Sequence, residues 1–109
     1  MLAALAEANV KTGAADRSQV FLAVTLEESG LLGSEFYAQN PIFPLAKTVG
    51  GVNMDAISPG RPAHDFQVTG GDKSELTNYV NAVTKAMGLV QSPEQDVERG
   101  YYYRSDHFS

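Results

Sequence analysis

The chain has no cysteine, which excludes disulfides and any zinc site built on thiolates. It has no apolar run of the roughly 20 residues needed to cross a bilayer. Basic residues are few: eight Lys and Arg stand against thirteen Asp and Glu, for a formal net charge of −5. They are scattered singly, with no stripe to follow a phosphate backbone and no polybasic patch to hold an anionic surface. Nucleic acid and membranes are therefore not expected as partners. The opening Met1-Leu2-Ala3-Ala4-Leu5-Ala6 lacks a basic flank and is interrupted by Glu7, so it reads as helix rather than secretory signal. No internal repeat and no low-complexity tract is present.

What remains is a chain of 109 residues with an ordinary 43% hydrophobic content, enough for one small domain. It is organised around residues 20–26, Val-Phe-Leu-Ala-Val-Thr-Leu, followed by Glu27-Glu28-Ser29-Gly30-Leu31-Leu32-Gly33-Ser34. The first seven residues are nearly all apolar, the pattern of a strand buried on both faces inside a parallel or mixed sheet. The run stops at two adjacent carboxylates, and Ser29-Gly30 opens a helix. Ligands in open α/β sheets bind at the carboxyl ends of strands. Two acids there repel each other unless a positive group such as a metal ion lies between them. Acids ahead of a helix also complement its positive N-terminal end, so the pair alone does not decide between these uses.

The remaining elements alternate. Residues 1–11 predict a helix with Leu2, Leu5 and Ala6 on one face, capped near Gly13. Residues 31–39 predict a second, burying Leu32 and Phe36 and stopped by Asn40-Pro41. Residues 49–57 predict a strand weakened by Gly50 and Gly51, and residues 66–69 a short strand. Residues 74–87 predict the clearest helix, with Leu76, Tyr79, Val80, Val83 and Met87 on one stripe and Asp72 or Ser74 as cap. Pro93 through Gly100 predicts an exposed acidic loop. The class is α/β.

Two further residues can carry chemistry. Asp55 ends a largely apolar strand, where a lone carboxylate is costly unless it is paired or metal-bound. His107 offers an imidazole, the commonest neutral metal ligand, with Asp106 beside it in sequence. His64, in a proline-rich loop, reads as a surface residue. Glu27, Glu28, Asp55 and His107 together form an oxygen-and-nitrogen donor set suited to catalytic zinc.

Three stretches, Glu-Glu-Ser-Gly-Leu-Leu-Gly-Ser at 27–34, Val-Asn-Met-Asp at 52–55 and Arg-Ser-Asp-His-Phe at 104–108, resemble the two-zinc exopeptidases of the aminopeptidase Y type. This group includes bacterial leucyl aminopeptidases and plasma glutamate carboxypeptidase. The resemblance implies a three-layer α/β/α fold, of which this chain would hold part of a mixed, mainly parallel sheet flanked by helices. It implies a peptide substrate and two zinc ions sharing a water. Glu27 would be the general base, Glu28 and His107 ligands of one zinc, and Asp55 a ligand of the other. The run Tyr101–Arg104 would border the cleft, with Tyr103 on the substrate side and a phenol available to a developing oxyanion.

The departure is upstream of Glu27, where the family's His-x-Asp ligand pair and bridging aspartate have no counterpart; only Asp16 is there. The ligand set is thus expected to be incomplete in this chain, with no zinc held by it alone. Residues 1–109 read as a single interior fragment of a catalytic domain, inactive by itself and prone to self-association through uncovered edges. By resemblance the parent would be secreted or periplasmic. The competing expectation is a non-catalytic protein-binding module of the transferrin-receptor-like type.

Overall fold

In the computed structural model, the described residues are 1–13, 15–55 and 62–109. Three α-helices form: α1 (Leu2–Thr12), α2 (Leu32–Gln39) and α3 (Leu76–Ala86). Two short strands, β1 (Asp65–Gln67) and β2 (Val90–Ser92), pair in parallel with Asp65 opposite Val90 and Gln67 opposite Ser92. The class is α/β.

The β1–α3–β2 unit is the best-defined part. Parallel strands cannot be joined by a tight turn and need a crossover, which α3 provides. Its entry is fixed by side chains: Ser74 Oγ accepts from the Leu76 backbone N–H at 3.3 Å, and Thr77 Oγ1 donates to the Gly71 carbonyl at 2.8 Å. Neither expected residue is the cap: the N-cap is Glu75, with no side-chain cap bond, and Asp72 pairs with Lys73 at 3.1 Å. Gly88, at φ 75°, turns the chain out of the helix. The expected strand at 66–69 lies one residue earlier, at Asp65–Gln67. β2 is a strand that sequence patterning missed, because three residues show no alternation and only their pairing defines them.

Helix α1 is held by local terms. Its composition is Ala-rich, Lys11 pairs with Glu7 one turn back, and Thr12 Oγ1 donates to the Ala8 carbonyl at 2.9 Å. An eleven-residue helix is marginal in water on such terms alone.

Residues 20–26 depart from expectation. No strand lies beside them among the described residues, and Val20, Phe21, Leu22 and Leu26 are exposed. Residues 49–55 likewise form no strand, and 56–57 lie outside the described residues. A strand exists only through hydrogen-bonded neighbours. Apolar composition states a need for cover that the described residues do not meet. The same holds on the helices: Leu32 and Phe36, expected to be buried, are 47% and 67% exposed. Tyr79, Val83 and Met87 stand open on the α3 stripe. Among the described residues no hydrophobic side chain is buried, and Ser34 is the one buried polar residue. The radius of gyration, 15.0 Å, exceeds the value of about 13 Å for a compact domain of similar length.

The tightest packing is backbone on backbone. Gly33 donates its N–H to the Thr25 carbonyl at 3.1 Å, and a Cβ at Gly33 would lie 2.3 Å from that oxygen. Neither atom can rotate away. Gly33→Ala is expected to destabilise the fold by about 1–3 kcal/mol, the usual range for overpacking. Gly51→Ala, where a Cβ meets nothing within 4 Å, should stay within about 0.5 kcal/mol of the parent. Urea denaturation of the two variants checks the contrast.

Candidate active site

The acidic pair sits in a tight knot of chain. Leu26 and Leu31 both have φ 61°, a left-handed conformation that costs a residue with a Cβ about 1–2 kcal/mol. Between them Glu27–Ser29 makes one 3-10 turn, and Gly30 at φ 99° reverses the chain. Backbone hydrogen bonds from Leu32 to the Leu26 carbonyl (3.3 Å) and from Gly33 to the Thr25 carbonyl (3.1 Å) close the knot and start α2. Glu27 is thereby presented, half-buried, at a fixed place ahead of the helix.

A second loop, residues 51–55, and the C-terminal turns Tyr101–Arg104 and Asp106–Phe108 meet this knot. Glu27, Glu28, Asp55, Tyr103 and His107 line one broad cleft of about 1640 Å³. Burial pushes the Glu27 carboxyl above its ordinary value of 4.5, repulsion from Glu28, Asp106 and Asp55 adds to the rise, and Arg104 opposes it. Glu27 is therefore raised by carboxylates on its own turn, on the 51–55 loop and on the C-terminal turn.

Residues that sequence reasoning left without a role hold these segments together. Ser105 Oγ accepts from Asn53 Nδ2 at 2.8 Å and donates to Asp55 Oδ2 at 3.2 Å. Ser34 Oγ and Ser109 Oγ lie 3.0 Å apart, joining the start of α2 to the last residue, and Ser34 also donates to the Leu31 carbonyl. Asp106 does more than neighbour His107 in sequence. Its charge helps raise the Glu27 carboxyl, and its Oδ1 is shielded from solvent with no hydrogen-bond partner among the described residues. The clue was present in the sequence, since Asn53, Ser105 and Asp106 are letters of the motifs that mark the site.

The aromatic run packs around Tyr102, whose ring meets those of His107, Tyr103 and Phe108 edge-on at centroid distances of 5.0, 5.2 and 5.9 Å. That ring rests on Gly70, where a Cβ would come within 2.3 Å of it. Tyr101 lies under two guanidinium groups, Arg99 at 5.3 Å and Arg104 at 5.7 Å, an attraction to the ring face. Tyr103 is exposed to the cleft.

A family model described as peptidase family M28 matches residues 1–109. The chain belongs to peptidase family M28. No curated protein and no solved structure matches it significantly. M28 peptidases are generally zinc-dependent, and the cleft offers donors of the types zinc takes, carboxylates and an imidazole. Their arrangement does not complete a site. Among the described residues, no three of His, Cys, Asp and Glu are gathered closely enough to hold an ion. The described residues thus supply zinc-type donors that are not gathered around one point.

The electrostatics of this M28 cleft can be measured directly. Like charge nearby favours the neutral acid, so removing it must lower the titration midpoint. Glu28→Gln is expected to lower the Glu27 midpoint, and Arg104→Gln, which removes an opposing charge, to raise it. Carboxyl-carbon NMR across the acid range reads both shifts.

Proposed function

We propose that this chain is the part of a zinc-dependent exopeptidase, of aminopeptidase type, that carries the general base and one side of the metal site. The observation that supports it most is Glu27, fixed by a strained turn, half-buried among three other carboxylates, and open to the cleft. A carboxyl raised above its ordinary value holds a proton more readily, which suits a group that takes a proton from water and returns it. In this reading Glu27 takes the proton of the attacking water. As the C–N bond breaks, it delivers that proton to the leaving amine. Glu28 and His107 are assigned to one zinc and Asp55 to a second, with the remaining ligands supplied by residues outside this chain. Tyr103, exposed on the cleft wall, is assigned to the substrate, its phenol donating to the developing oxyanion.

The competing reading is a non-catalytic binding module. The absence of three gathered ligands among the described residues favours it, whereas the position of Glu27 favours the enzyme. Hydrolysis of an aminoacyl-anilide with zinc present separates the two, measured on the 109-residue chain and on a version extended at both ends. The extended protein is expected to turn over, and Glu27→Gln to cut its rate by about 10²–10⁴-fold, the usual worth of a general base. An unchanged rate in Glu27→Gln would remove Glu27 from the mechanism.

The uncovered apolar surface gives a companion expectation. With Val83 and Met87 60% and 68% exposed on one helix face, the isolated chain is expected to self-associate. In sedimentation it should run heavier than its 11.7 kDa, and Val83→Lys with Met87→Lys should shift it toward monomer.

A further inference from the structure

We propose that Ser105 is a positioning residue, whose hydroxyl locks the Asn53–Asp55 loop to the turn that carries His107. The inference starts from hydrogen-bond arithmetic. A serine hydroxyl has one proton to donate and two lone pairs to accept with. The single Ser105 proton is donated to Asp55 Oδ2, at 3.2 Å. The other partner must then be a donor, and the Asn53 side-chain amide meets that need at 2.8 Å. The polarity of the chain of bonds is fixed: amide to hydroxyl to carboxylate. Asn53 and Asp55 are two residues apart, the spacing that puts side chains on one side of an extended chain, so one hydroxyl reaches both. This accounts for an asparagine, rather than an aspartate, two residues ahead of Asp55.

The consequence lies in register. Asp55 and His107 are on loops far apart in sequence, both facing the Glu27 knot. Among the described residues, neither loop is anchored by buried apolar side chains. Ser105 stands two residues from His107 and bonds to Asp55, so the carboxylate and the imidazole are presented to the cleft together. The importance of this register for hydrolysis rests on the peptidase reading; the register itself does not.

NMR of the full chain, with neither metal nor substrate added, tests it through the Asn53 side-chain amide protons and the Asp55 carboxyl carbon. Ser105→Ala is expected to move both signals toward their solvent-exposed positions, and Ser105→Thr, which keeps the hydroxyl, to restore both. Asn53→Asp sets two carboxylates against one proton and is expected to move the Asp55 signal. This substitution is at an exposed position, so it keeps the test open if Ser105→Ala does not fold. Signals unmoved in Asn53→Asp, or shifted equally by the Ala and Thr variants at Ser105, would overturn the proposal. A rate indifferent to Glu27→Gln would instead overturn the peptidase reading and leave these signals where they are.

Discussion

The site depends on one close approach of main chain to main chain, Gly33 against Thr25. The contact pulls the first turn of α2 back over the end of the apolar run, so the residues between must make a complete reversal. That reversal forces Leu26 and Leu31 into left-handed backbone, and it places Glu27 ahead of the helix rather than within it. Strain of this kind, about 1–3 kcal/mol per residue, persists only where surrounding structure over-determines it. Here the over-determination is visible as three backbone bonds across the knot, from Leu31, Leu32 and Gly33 back to Glu27, Leu26 and Thr25. The second glycine of Glu-Glu-Ser-Gly-Leu-Leu-Gly-Ser thus has a steric reason, and the first, at φ 99°, a conformational one.

Polar links do the rest of the assembly. Ser105 joins two loops, the Ser34–Ser109 pair joins α2 to the C-terminal residue, and Glu94 Oε2 accepts from the Gly70 N–H at 3.0 Å beneath the aromatic cluster. Each such bond is worth about 0.5–1.5 kcal/mol net. They specify which groups meet. They do not replace the apolar burial that dominates folding free energy, and that burial is missing among the described residues.

What could be read from the sequence follows the range of the forces involved. The three helices were legible because helical periodicity, caps and breakers act within a few residues; Gly13, Asn40 and Gly88 end the helices as expected. The structure brings Glu27, Glu28, Asp55 and His107 to the lining of one cleft because the loops that carry them meet. The strand at 20–26 was not legible as an outcome, since pairing depends on neighbours elsewhere in the chain. β2 was invisible for the converse reason: Val90-Gln91-Ser92 has no pattern and owes its form to β1. Ser105 was overlooked, and Asp106 noted only as the neighbour of His107, because a hydroxyl or a carboxylate in a motif carries no sign of which loop it will meet.

The uncovered apolar surface and the ungathered ligands are two views of one deficit. In an α/β sheet the strands that flank a central one bury its side chains, and the loops leaving their carboxyl ends surround its own. A run such as residues 20–26, with Glu27 at its carboxyl end, needs neighbours for both purposes. Where the neighbouring strands are missing, the loops that they would carry to the cleft are missing with them. On the proposed reading, more chain laid beside this run would cover Val20, Phe21 and Leu22. It would also bring donors toward Glu28, Asp55 and His107. On that reading, restoring the sheet and completing the metal site would be a single event.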